Sequence, residues 1–414
     1  MVEPHRNAAS AHFSPWRVLS GLLVGMGVSA SASAIDYQIH GYAAQGFVLS
    51  SGDNFFGHST SGSLDYYEAG LNAEVQVRSN LLFAAQGAVR AAGVTDTGRA
   101  RLDYALMDYR FLPTINDSPG FDANAGVRVG KVKNTVGFFN ETRDVVFTRP
   151  SILLPSLYGD NQNQRDLVFA APGAQLYGNL IWGNQEFSLV GTASGNRGVS
   201  QAEDRLLVTL SVPFSLRIVD SWNAQIMDSI DGGRWQFGVS AFYGRFVLTA
   251  VVPTAPPEAL DGSIGVRLDV LSARYNAENF SITAEYAINP NKDSVTLAGA
   301  PIQISDITAD TGYLQADYRI TSHWSTMARF DAAFLDRADR DGWAYAAANP
   351  GTDPASRYNY DLTVGLSWRD GEHWGLWGEY HLMDGTENVQ ALQNQGRKLA
   401  DHWSMLMLMA GYKF

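Results

Sequence analysis

Between Arg357 and Arg369 the residue type changes at every step. Tyr358, Tyr360, Leu362, Val364, Leu366 and Trp368 alternate with Asn359, Asp361, Thr363, Gly365, Ser367 and Arg369. Side chains on a β-strand point alternately to opposite faces, so this segment has one apolar face with aromatic ends and one polar face. The pattern recurs: Trp374, Leu376, Gly378, Tyr380 and Leu382 stand against His373, Glu379 and His381; Trp324, Ala328, Phe330 and Phe334 against Ser325, Arg329 and Asp331; Phe280, Ile282, Ala284 and Tyr286 against Ser281, Thr283 and Glu285. The chain then ends with Leu406, Leu408, Ala410, Tyr412 and Phe414 on every second position. A soluble sandwich also alternates, but so many long strands with aromatic ends fit a sheet whose apolar face meets lipid. Beyond residue 34 no stretch reaches the ~18 to 20 apolar residues of a membrane helix. In lipid every backbone polar group must be paired internally, so a membrane form of this chain has to be a closed, all-β antiparallel barrel.

The opening Met1 to Ala34 follows another rule. Arg6 and Arg17 flank an apolar run, Val18 to Val28, and a small-residue tract ends at Ala32-Ser33-Ala34. This is the layout of a cleavable secretory signal, which leaves residues 35–414 as one barrel domain that begins in the periplasm. No Cys occurs anywhere. That removes a lipoprotein anchor, disulfides and thiolate metal sites, and suits passage through an oxidising compartment. The formal net charge is −12, which makes nucleic acid a poor partner.

The breaks between alternating segments are of two kinds. Short polar ones occur at Arg78-Ser79, Pro113 to Gly120, Trp182 to Asn184, Ile230 to Gly233, Asn276 to Glu278, Ile320 to Ser322 and Arg369 to Gly371. Longer ones rich in Gly, Asp and Asn occupy 50–62, 134–165, 196–213, 253–262, 289–307, 336–356 and 386–400, with a brief one at 93–98. Short turns at one end and long loops at the other are the habit of outer-membrane barrels. The count predicts about 16 strands, with 18 as the alternative if Arg205 to Val212 forms an additional strand. Phase slips at Val270-Leu271 and Leu106-Met107 read as β-bulges.

The stretch Val127-Arg-Val-Gly-Lys-Val-Lys-Asn-Thr-Val-Gly-Phe-Phe139, together with the strand plan and the terminal Phe, resembles the Gram-negative outer-membrane porin superfamily, in particular its phosphate-selective group. Thr135 stands where that group usually has Pro, which makes the turn less rigid. The resemblance implies a cell outer membrane location, contact with outer-membrane lipid and lipopolysaccharide, insertion by the barrel-assembly machinery through the C-terminal strand, and a homotrimer. It also implies that the third long loop, about 134–165, folds inward and narrows a channel. Glu141, Arg143, Asp144 and Arg149 are the expected constriction residues, since opposed charges set a transverse field across a wet neck; the alternative is an exposed loop with solvated charges. Period-two reading points Arg90, Arg128, Arg267, Arg274, Arg319, Arg329 and Arg369 into the lumen, beside Glu68, Glu74, Asp317, Asp331, Asp361 and Glu379. Met405, Met407 and Met409 point the same way, an odd choice for a wet surface unless a loop or an N-terminal extension covers them. Trp324, Trp368, Trp374, Tyr380, Tyr412 and Phe414 are the expected membrane anchors.

Other chemistry finds no foothold. There is no G-x-S-x-G elbow, no H-E-x-x-H pair and no phosphate-binding loop. His373 and His381 share a face but stand roughly 27 Å apart at ~3.4 Å per residue. The run Asp336 to Gly342 is only loosely calcium-like, with Arg337 at the place of a first ligand and Ala348 at that of the last Glu. The expectation is therefore a passive channel for small hydrophilic solutes or ions, with no catalysis, metal or cofactor. A loop-plugged barrel with a structural or surface-interaction role is the alternative.

Overall fold

The computed structural model describes residues 36–94, 96–118, 120–159, 168–195, 197–198, 214–254 and 256–414. The signal-like segment 1–34, the end of the third loop and the stretch Arg205 to Val212 lie outside the described residues. Sixteen long antiparallel strands close into a barrel. In chain order they are β1 (Asp36–Ser50), β2 (Ser63–Arg78), β3 (Leu81–Ala92), β4 (Thr97–Ser118), β5 (Phe121–Lys133), β6 (Ala170–Trp182) and β7 (Gln185–Ser194). After the two-residue β8 (Arg197–Gly198) come β9 (Phe214–Ile230), β10 (Trp235–Val252), β11 (Glu258–Asn276), β12 (Phe280–Leu297) and β13 (Ala300–Arg319). The set ends with β14 (Trp324–Phe334), β15 (Tyr358–Arg369), β16 (Trp374–Gly385) and β17 (His402–Lys413). β8 adds only two pairs to β9, and β7 pairs directly with β9. The ring shuts where β17 meets β1, from Tyr42 opposite Lys413 to Ser50 opposite Met405.

Six of the seven short connections fall where the sequence places them, and the one expected at Pro113 to Gly120 is shorter because β4 continues to Ser118; all lie at one end of the barrel. The long ones are shorter than expected at two places. Residues 289–307 are not a loop: β12 and β13 stay paired through Asn289 opposite Ala309 and Lys292 opposite Asp306 up to Ala298-Gly299, both at positive φ. Likewise β11 already begins at Glu258. Backbone pairing does not need an apolar face, so polar strand above the lipid reads as loop when only hydropathy is followed.

The phase slips also resolve differently. Pairing runs in register through Val270 and Leu271, and through Leu106 and Met107; the shifts in β4 lie near Asp103 and beyond Tyr109. Without a bulge at 270, Leu268, Val270, Ser272 and Arg274 share the inner face and Arg267 takes the outer one. There it is exposed and pairs with Asp269 at 2.8 Å.

Outside, bulky apolar side chains such as Leu271, Ile282, Leu314, Leu362 and Leu408 are exposed. Aromatics rim this band. At the short-turn end Trp235 meets Tyr275 at 4.4 Å and Trp374 meets Tyr412 at 5.0 Å, while Trp222 stacks on Tyr243 at 6.2 Å nearer the long loops. Trp235 to Tyr243 is eight residues on β10, about 20 Å of height for a tilted strand, close to the apolar thickness of an outer membrane. Trp324 and Trp368 face each other across β14 and β15 in the short-turn girdle, whereas Tyr380 lies mid-strand between Val364 and Leu406. Phe414 exchanges both backbone hydrogen bonds with Gly41, at 3.0 and 3.1 Å, and lays its ring over that glycine.

A Cβ on Gly41 would stand 2.5 Å from the Phe414 ring. Gly41→Val is therefore expected to destabilise the closing seam by about 1–3 kcal/mol, measured as a lower urea midpoint in detergent or lipid. An unchanged midpoint would show that the terminal ring does not hold the seam.

Candidate functional site

The long connection after β5 turns into the barrel instead of away from it. Residues 134–159 carry apolar side chains that cannot stay in water, and two regions of the inner wall receive them. Val146, Phe147, Ile152 and Leu153 join Tyr42, Val48, Tyr66, Trp377, Met405, Met407 and Met409 in one dry cluster. Val136, Phe139, Leu154, Leu157 and Tyr158 join Phe242, Leu268, Val270 and Tyr313 in a second. The methionine row thus packs beneath the folded loop, with flexible thioethers filling an irregular gap.

Between these clusters the loop is held by its backbone, because a buried N–H or C=O needs a partner. Glu379 accepts from Ile152 N at 2.5 Å and Leu153 N at 3.4 Å. Asp331 accepts from Ser156 N at 3.0 Å, and Arg329 donates to Leu153 O at 3.0 Å and Ser151 Oγ at 2.9 Å. On the far wall Glu285 accepts from Phe138 N at 2.9 Å and from the Tyr158 and Tyr313 hydroxyls at 2.5 and 2.6 Å. Ser240 accepts from Gly137 N at 2.9 Å, and Gln225 donates to Gly137 O at 2.9 Å. Most of the luminal polar face in this zone therefore grips the loop.

Of the residues expected at the constriction, Arg143, Asp144 and Arg149 are buried at 1%, 0% and 2% exposure. Arg149 pairs with Glu68, and Asp144 receives Lys133 at 2.9 Å and Gln86 at 2.5 Å. Arg143 bonds Asn140 at 3.2 Å. Glu141 is the one left partly exposed. Burial pushes its carboxyl above the usual carboxylate range, while the nearby Arg128 and Lys133 pull it back. Arg128 itself is shared between Asp108 at 3.0 Å and Gln175 at 2.8 Å, over the ring of Tyr177.

The remaining wall residues divide by height. Arg90 is buried beside Asp96 at 3.7 Å, and Arg329 pairs with Asp331 at 2.5 Å. Asp361 and Glu379 bracket the buried His381 at 2.8 and 3.5 Å. Arg319 is exposed at the short-turn end, bonded to Glu278 O and to Asn279 at 3.2 Å. Residues that the sequence reading did not single out but that hold the site are Tyr42, Gln86, Lys133, Ser240 and Glu285. Glu285 carried a signal in its place on the polar face of an alternating strand, and Lys133 as the second lysine of the strand-to-loop stretch.

By sequence the chain matches no protein-family model and no curated protein. By structure it resembles the outer membrane channel DcaP of Acinetobacter baumannii, at 15% identity and a TM-score of 0.53, over 94% of this chain and 99% of that one. It also resembles the anion-selective porin from Comamonas acidovorans, at 10% identity and a TM-score of 0.52, over 92% and 100% of the two chains. A third likeness is to OmpT of Vibrio cholerae in a trimer form, at 10% identity and a TM-score of 0.52, over 92% and 100%. At these identities the likeness establishes the fold.

Glu379→Ala removes the acceptor of two loop N–H groups. The expected cost is about 2–3 kcal/mol, with the loop loosened so that trypsin cuts after Arg143, a site that is buried in the native chain. Persistent resistance to trypsin would show that Glu379 does not hold the loop.

Proposed function

We propose that this chain is an outer-membrane porin, a water-filled channel through which small hydrophilic solutes or ions diffuse passively. The observation that carries this reading is the inverted barrel: lipid-compatible side chains outside, a charged wall inside, and a loop drawn into the lumen. Such a wall stabilises ions only where water reaches it. The partly exposed charges there are Glu141 of the loop beside Arg128 and Lys133 of β5, with Glu74 exposed on β2. Opposed charges across that neck orient dipoles and bias ion passage. Arg143, Asp144 and Arg149 then act by fixing the loop from which Glu141 projects.

In this reading residues 1–34 are removed on export, the short turns face the periplasm, and the long loops face lipopolysaccharide. The closing strand with Phe414 engages the barrel-assembly machinery, and the protein is a homotrimer, as one structural relative is in its trimer form. The reading needs no cofactor and no catalysis. A loop-plugged barrel is the second reading, favoured by the two dry clusters through which the loop reaches both sides of the lumen.

Single-channel recording of the folded protein in a planar bilayer separates the two. Stable ohmic steps in KCl are expected, and silence from inserted, folded protein would turn the assignment to the plugged barrel. Glu141→Lys should move the reversal potential under a KCl gradient toward anions without abolishing the steps. An unmoved potential would place the neck elsewhere.

A further inference from the structure

The long connection between β14 and β15 folds over the outside of the barrel rim and covers outward-facing residues of the wall. Phe334 and Asp310 face each other on the outward sides of β14 and β13, yet both are buried. Arg340 of the connection pairs with Asp310 and rests on the Phe334 ring at 4.8 Å. Between the connection and the wall lies a half-open cleft of about 380 Å³. Its wall side is Tyr358, Tyr360 and Asp384, one step beyond Leu362 and Leu382 of the lipid-facing band. Its outer side is Trp343 of the short helix α1 (Trp343–Ala348), with Asp341 and Asp353, and Asp401 before β17 completes it. No side chain of α1 is buried, and Trp343 is 67% exposed. The helix is nonetheless fixed. Asp339 accepts from Ala344 N at 3.0 Å and Tyr345 N at 2.7 Å, and Arg357 stacks on the Tyr345 ring at 4.0 Å. An indole held in place without being packed is available to a ligand.

Four carboxylates and one guanidinium line the cleft, and the guanidinium is already paired with Asp310. Asp384 is met by His402 at 3.2 Å and by the Tyr358 hydroxyl at 3.4 Å. Asp341 and Asp353 each accept one loop N–H, from Trp343 at 3.3 Å and Ala355 at 3.1 Å. Among the described residues Asp341, Asp353 and Asp401 have no ion-pair partner within 4.0 Å. The cleft is therefore negative as well as aromatic. Among the described residues no three acidic or histidine side chains are placed to hold a metal ion, so a bare cation does not fit it. We propose that the cleft binds an alkylammonium group, seated against Trp343 and Tyr360 with the carboxylates around it. An aromatic face attracts a cation through its π-electrons, and the carboxylates add attraction at longer range. A substituted ammonium is also less tightly hydrated than a metal ion, so it enters such a space at lower cost. Either a free solute or a lipid headgroup carries this group, since the cleft opens where the lipid-facing band ends. It lies outside the lumen, so it stands or falls independently of conduction.

The test is titration of choline, and of its uncharged carbon isostere neohexanol, into detergent-folded protein by saturation-transfer NMR. The native chain is compared with Trp343→Ala and Asp401→Asn, both at exposed positions, each first shown to keep its β-sheet circular dichroism. Saturable binding of choline is expected, weakened about tenfold in Trp343→Ala and about threefold in Asp401→Asn, with none for neohexanol. Absence of saturable choline binding, equal binding of neohexanol, or one affinity across native and variant chains would overturn the site. Vesicles then separate the two sources. Choline binding in phosphatidylglycerol vesicles that is lost when phosphatidylethanolamine is added assigns the site to a lipid headgroup; binding that persists assigns it to a free solute.

Discussion

Backbone hydrogen bonding in a medium that offers no partners governs this molecule. A strand facing lipid can satisfy its N–H and C=O groups only on neighbouring strands, so the sheet has to return to its own first strand. Here the return is made by β17 on β1, sealed by the mutual bonds of Gly41 and Phe414. Once the ring is shut, the alternation of side chains assigns every residue to lipid or lumen. The charged residues of the wall are inside because the pleat puts them there.

The consequence is a protein whose dry core is not between sheets. It consists of two clusters inside the ring, each made of one flank of the loop and one patch of wall. The polar residues between them are spent on loop backbone. Glu379, Asp331 and Glu285 come from strands remote in sequence, yet all three accept from N–H groups of the same short segment. Carboxylates that look like a solute track in the sequence serve first as acceptors for a buried backbone. The charged residues left partly exposed near the loop are a smaller set, Glu141, Arg128 and Lys133 among them.

Strand number, turn positions and the lipid face were legible because period two is a local property and the girdle aromatics mark strand ends. The polar hairpin of β12 and β13 was not, since hydropathy cannot tell a wet strand from a loop. The parity of β11 was misread for a related reason. Leu268 and Val270 are apolar on the luminal face because the loop covers them, and covering by a segment more than a hundred residues away leaves no trace in the local pattern. The loop charges were legible as a group, but their division into buried Arg143, Asp144 and Arg149 and partly exposed Glu141 depends on wall partners that spacing does not reveal. The inward methionines were the useful exception, because an apolar row facing a lumen implies a cover.

The span of the loop's anchors also orders events in time. Ile152 finds its acceptor 227 residues downstream, on Glu379, while Phe138 finds one 147 residues away on Glu285. Neither partner is in place until the later strands have joined the sheet, and contacts of such separation form late. The wall must therefore assemble around a loop that is still loose, and the interior sets only as the last strands arrive. The loop's hydrogen bonds to Glu285 and Glu379 thus belong to the last stage of assembly, after the strands that carry them.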